Sequence, residues 1–193
     1  MKKLWSRLFR RFRSDFQEEH PPLPPVNGYI YGQRHFPEQR IGQSSMDAAG
    51  CEVIAVYNAL RRVGYHVGLE QITNTFERRG YLMRRGQWGA DPFAIGDYLS
   101  DAGIPYVCCR QYDALVHMVN EHDHRYCAYI VSFWNRRTVW GGLHTVAFTV
   151  HDGQLYVYNL TGAETHVTMK PKLGSFVKKK RFLVGYVIFG RER

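Results

Sequence analysis

Residues 50–64 read GCEVIAVYNALRRVG, and their periodicity governs how the rest of the chain must be arranged. Val53, Val56, Tyr57, Leu60 and Val63 recur at i, i+3, i+4 and i+7 spacing, with Gly64 closing the run. Ile54, Ala55 and Ala59 widen the apolar side, so this segment predicts a helix buried over much of its surface. Cys51 opens it. A thiol at a helix N-terminus feels the positive end of the macrodipole and the free N–H groups of the first turn, both of which favour the thiolate. Those N–H groups also make half an oxyanion hole for an acyl-transfer intermediate. For Cys51 alone, a small buried side chain that merely packs is the plainer account.

Downstream, the helical period continues. Leu69, Ile72 and Phe76 predict an inward face for a helix over 69–79, with Gly80 after it. A third helix opens with Asp91-Pro92, a cap followed by proline at the first helical position, and ends near Ala102-Gly103. A short strand over 105–110 and a helix over 112–121 follow. The period then changes to that of strands. RYCAYIVSFW (125–134), LHTVAFTV (143–150), QLYVYNL (154–160) and RFLVGYVIF (181–189) are rich in β-branched and aromatic residues. Helices first and antiparallel strands later predict an α+β fold, its N-terminal helices packed on a C-terminal antiparallel sheet.

Residues 143–160 form a predicted hairpin, LHTVAFTV-HD-GQLYVYNL. If His151 and Asp152 are the two-residue loop, His144 lies directly opposite Asn159. If Asp152-Gly153 is the loop, the pairing slips by two and His144 is diagonal to Asn159. In either register they share a sheet face with Val146, Phe148, Val150, Leu155 and Val157. A histidine and an amide then meet at the rim of an apolar face, where a helix could present a thiol. A Cys–His–Asn centre needs that arrangement. His144 would take the thiol proton and return it to the leaving group, and Asn159 would hold the ring's tautomer. A core histidine with a satisfied hydrogen bond and a strand-end asparagine are the plainer accounts of each residue taken singly.

These residues, GCEVIAVYNAL, SFWN, GGLHTVAF and DGQLYVYNL, together resemble the bacterial papain-like cysteine peptidases related to the bacteriocin leader (double-glycine) peptidases. The likeness runs from about residue 42 to residue 189. It implies a papain-like fold and thiol-dependent cleavage of a peptide or isopeptide bond, without a cofactor, with Cys51 as nucleophile, His144 as base and Asn159 as orienting residue. That family carries a glutamine about six residues before the cysteine, whose amide completes the oxyanion hole. Here Ser45 stands at that position and Gln43 is the nearest glutamine. Either Gln43 or Ser45 must then supply the donor, whose loss costs roughly 3–4 kcal/mol of barrier. A papain-like domain that binds a peptide or protein partner without cutting it is the alternative.

The 193 residues suit one domain after a tail, and 45% hydrophobic content is enough for a sizeable core. Basic side chains number 26 against 17 acidic, a net charge of +9. Much of that excess sits at the ends, in Lys2, Lys3, Arg7, Arg10, Arg11 and Arg13 and in Lys178, Lys179, Lys180 and Arg181. Leu4, Trp5, Leu8, Phe9, Phe12 and Phe16 interleave with the first group at helical spacing. Residues 1–18 therefore read as a basic amphipathic helix, suited to reversible contact with an anionic membrane surface or to docking on its own domain. HPPLPPVNG (20–28) reads as a spacer, giving a proline-rich linker over 19–28 and a papain-like domain over 29–193.

No stretch of 18 apolar residues occurs, nor an apolar signal core, and the four cysteines form no CxxC pair. A reducing, cytoplasmic setting is expected. His122 and His124 beside Asp123 read as solvated rather than as metal ligands. Arg78, Arg79, Arg84 and Arg85 with Tyr81 and Trp88 mix cations and aromatics, but read as a solvated loop plus core aromatics. Nucleic acid is not expected as a partner. Cys108-Cys109 reads as core.

Overall fold

The computed structural model describes residues 28–121, 124–135 and 142–190. The basic amphipathic segment, nearly all of the proline linker, His122 and Asp123 lie outside the described residues. Two short strands, β1 (Arg40–Ile41) and β2 (Ser44–Ser45), lead into a one-turn helix α1 (Met46–Ala49) and the long helix α2 (Cys51–Arg62). Helices α3 (Leu69–Arg78) and α4 (Ala94–Asp101) follow, then β3 (Tyr106–Cys109) and α5 (Tyr112–Glu121). The remainder supplies β4 (Cys127–Trp134), β5 (Leu143–His151), β6 (Gln154–Tyr158), β7 (Thr168–Lys170) and β8 (Phe182–Phe189).

Asp91 caps a turn, not a helix that starts at Pro92. Its Oδ1 accepts from Phe93 N at 2.9 Å, and α4 begins only at Ala94. Pro92 and Phe93 occupy the turn, so the helix opens two residues later than the proline suggests.

Six strands form one antiparallel sheet in the order β3-β8-β4-β5-β6-β7. Both of its faces are covered, which explains why β4 is an almost unbroken apolar run rather than an alternating one. On one face Ala128, Ile130, Ala147, Val184 and Ile188 meet Val53, Leu60, Ile72, Phe76 and Leu99 from the N-terminal helices. On the other, Tyr129, Val131, Val146, Phe148 and Val157 meet Leu115 and Val119 of α5 together with Leu173 and Val177. A fully buried side chain such as Ile72 or Phe76 stabilises the fold by about 1.5–3 kcal/mol.

The β5–β6 hairpin takes the second of the two registers. Val150 pairs with Leu155 and His151 with Gln154. Asp152 and Gly153 form the turn, with φ of 49° and 70°, the left-handed pair that matches the twist of the flanking strands. The long helix α2 lies against the Thr145/Ala147 face, not the His144/Val146 face where the sequence pattern led us to expect it. Both faces are apolar, so the alternation alone left open which helix covers which.

Candidate active site

Gly50 joins α1 to α2, its N–H bonded to Met46 O at 3.0 Å. A Cβ there would stand 2.1 Å from Met46 Sδ and 2.6 Å from Met46 O, so no side chain fits. This tight corner sets Cys51 on the first residue of α2. The thiol is buried and donates to Glu52 Oε2 at 3.2 Å. The backbone N–H groups of Glu52 and Thr145 are also directed at the sulfur, so the thiol lies beside the peptide unit that joins His144 to Thr145.

His144 is buried near the start of β5, opposite Phe133 and edge-on to its ring. Its Nε2 lies 2.7 Å from the backbone oxygen of Asn159. A carbonyl only accepts, so Nε2 carries the hydrogen and the neutral ring leaves Nδ1 bare. Burial lowers the His144 pKa, against the carbonyls of Asn159 and Leu160 and the Glu164 carboxylate, which raise it.

Asn159 stands one residue past the end of β6, at φ 61°. The pleat no longer dictates its direction there. Its side chain turns to Gln33, accepting from Gln33 N at 2.8 Å and donating to Gln33 Oε1 at 2.9 Å. Gln33 Nε2 in turn donates to Asp47 O in α1, at 2.7 Å. Asn159 therefore meets the imidazole through its main chain, not through its amide. Its amide ties the end of β6 to Gln33, and the Gln33 amide continues the link to α1, the short helix that precedes Cys51.

Burial raises the Cys51 pKa well above the usual thiol value, and the adjacent Glu52 carboxylate raises it further. This outweighs the helix N-terminus and reverses the expectation of a ready thiolate. Glu52 is only 2% exposed. Its Oε1 accepts from Thr145 Oγ1 at 3.1 Å, its Oε2 from Ala90 N at 3.4 Å, and Ser132 Oγ stands 2.9 Å behind Thr145 Oγ1. In this geometry no hydrogen bond joins Cys51 to His144; the sulfur and Nδ1 must reorient to meet.

The chain is similar to the crystal structure of the peptidase domain of Streptococcus ComA, a bifunctional ABC transporter involved in a quorum-sensing pathway. The TM-score is 0.50 over 78% of this chain and 97% of that one, at 11% identity. The fold is that of a papain-like peptidase domain. No protein-family model matches the sequence, and no curated protein matches it.

In this papain-like domain the two candidate oxyanion donors lie elsewhere in the hydrogen-bond network. Gln43 Oε1 accepts from Gln87 Nε2 at 3.2 Å on the exposed surface, and Ser45 precedes α1 without a side-chain cap bond. Neither is bonded to Cys51 or His144. Sequence reasoning passed over Gln33, Glu52 and Thr145. Glu52 had a signal: a carboxylate three and four residues before Ala55 and Val56, on the apolar side of a buried helix.

The loop before α4 approaches the same corner. A Cβ on Gly89 would lie 3.3 Å from Glu52 Oε2 and 3.4 Å from Ala49 O. Arg84 and Arg85 hold left-handed backbone at φ 45° and 55°. Trp88, expected in the core, is 61% exposed, with the Arg84 guanidinium 4.3 Å from its ring centroid. Tyr81 packs edge-on to Phe76. Cys109 is buried but Cys108, on the same edge strand, is exposed, which corrects the reading of both as core. His124 Nδ1 sits 2.9 Å from Tyr129 Oη. Among the described residues no three His, Cys, Asp or Glu side chains converge as a metal site. Nor is any helix among them long and apolar enough to cross a membrane.

Proposed function

We propose that this papain-like domain is a thiol hydrolase that cleaves a peptide or isopeptide bond, with Cys51 as nucleophile and His144 as base. The observation that carries this reading is the His144–Asn159 contact, which leaves Nδ1 free to accept a proton. Substrate would turn the thiol from Glu52 toward His144, and Nδ1 would take its proton as the sulfur attacks the carbonyl carbon. The N–H groups at the start of α2 would support the oxyanion, with Gln43 or Ser45 as the second donor only if β2 and its turn shift toward the sulfur. His144 would then protonate the leaving amine and activate the water that hydrolyses the acyl-enzyme.

A peptide library incubated with the wild type, Cys51→Ala and His144→Ala, with products read by mass spectrometry, tests this. Cleavage by the wild type alone is the expected result. The buried, carboxylate-bound thiol favours a second reading, a papain-like domain that holds a peptide without cutting it. Peptides retained intact and equally by all three proteins would establish that reading instead.

We place the protein in the cytoplasm, with residues 1–16 attaching it reversibly to an anionic membrane surface. Cosedimentation with phosphatidylserine vesicles, lost at high salt and on deleting residues 1–16, checks the attachment.

A further inference from the structure

Glu52 is a carboxylic acid carried into the core one residue after the proposed nucleophile. Every polar contact it makes comes from a donor: its own backbone N–H, the Cys51 thiol, the Thr145 hydroxyl and the Ala90 backbone N–H. With Thr145 donating to Glu52, Ser132 donates to Thr145, so the β4 and β5 hydroxyls form a relay that ends on the carboxylate. Burial raises the Glu52 carboxyl above its ordinary range, and this ring of donors works against that rise, because each of them favours the ionised form. The groups facing the pair come from three elements. α2 brings Cys51 and Glu52 themselves, the sheet brings the neutral hydroxyls of Thr145 and Ser132, and the loop before α4 brings only a backbone N–H. His144 is next to Thr145 on β5, but its ring is bonded to Asn159. Among the described residues no cation is bonded to Glu52.

A carboxylate that receives the thiol's proton as a hydrogen bond opposes a second negative charge on the sulfur 3.2 Å away. We infer that Glu52 is a positioning residue that holds Cys51 as a thiol, turned from His144, until substrate displaces it. On activation the proton passes from Sγ to His144 Nδ1, and Glu52 keeps its bonds from Thr145 and Ala90 as a carboxylate. The inference rests on the hydrolase reading for its purpose. The restraint itself is a property of the thiol alone.

The test is the pH dependence of iodoacetamide labelling at each cysteine, read by mass spectrometry, in the wild type, Glu52→Gln and Glu52→Met. Both variants remove the charge; the first keeps the shape, and the second fills the site with an apolar chain. Labelling of Cys51 at pH 7 is expected to rise at least tenfold in either variant. The buried Cys109 and Cys127 report the fold, since they stay protected only in a folded chain. In the wild type, Cys51 is expected to label only at a higher pH than the exposed Cys108. Wild-type Cys51 labelling at or below the pH of Cys108 overturns the inference without any variant. So does an unchanged or slower rate in a folded variant. Faster labelling in Glu52→Gln that is indifferent to an added His144→Ala would sink the hydrolase reading while leaving the restraint in place.

Discussion

The imidazole of His144 is held by the main-chain carbonyl of Asn159, 2.7 Å from Nε2, while the Asn159 amide is bonded to Gln33. Orientation of the base therefore depends on the backbone path at residue 159 and only indirectly on its side chain.

Asn159→Gly keeps the left-handed backbone without strain but leaves the buried Gln33 N–H and amide oxygen without partners. Stability should fall by about 2 kcal/mol, read by chemical denaturation. Peptide hydrolysis should fall less than tenfold, whereas His144→Ala should abolish it. A loss in Asn159→Gly as large as that in His144→Ala would mean that the amide, not the carbonyl, holds the ring during turnover.

Burial sets the folded-state pKa of His144 below its ordinary value of 6.5. Between those two values the unfolded chain binds more protons than the folded one. The stability linked to this group is complete above pH 6.5 and is lost as pH falls through the folded value. Melting temperatures measured from pH 7.5 downward should decline in the wild type and decline less in His144→Gln.

At Gly50 a methyl group has no room beside Met46 Sδ and Met46 O, although φ of −94° is open to any residue. The cost of Gly50→Ala is thus steric, about 1–3 kcal/mol. Because the corner positions Cys51, thiol labelling should change along with the melting temperature. A variant as stable as the wild type would show that the turn relaxes freely.

Arg85 holds a left-handed conformation that an L-residue adopts only at a cost. Its carbonyl accepts from Gln43 N at 2.8 Å, a bond that glycine retains. Arg85→Gly should stabilise the domain by about 1 kcal/mol, after allowing for the greater freedom of the unfolded chain. A calorimetric melt checks the sign.

Local periodicity carried much of the architecture. The helix expected to run from Cys51 to Gly64 spans Cys51–Arg62, and the helix expected over 69–79 spans Leu69–Arg78. The strand-rich segments of the second half are strands of one antiparallel sheet. Such elements are legible because an apolar stripe at period 3.6 or 2 is a property of the chain itself. The hairpin narrowed to two registers for the same reason, since only even slips keep Val146 and Val157 on one face.

Local pattern was enough to show that Cys51 opens a buried helix, that His144 lies on a strand in a hairpin, and that helices pack on a later antiparallel sheet. Tertiary structure alone decided which sheet face α2 covers, because both faces are apolar and either satisfies the alternation. It also decided the direction of the Asn159 amide, since the strand ends at Tyr158 and a left-handed residue leaves the pleat. The enclosure of the thiol was decided the same way. A helix N-terminus is a local feature and argues for thiolate, but the burial of Cys51 and its bond to Glu52 arise from elements 38 and 93 residues away closing over them. Desolvation in that enclosed corner is the larger effect, and no stretch of sequence contains it.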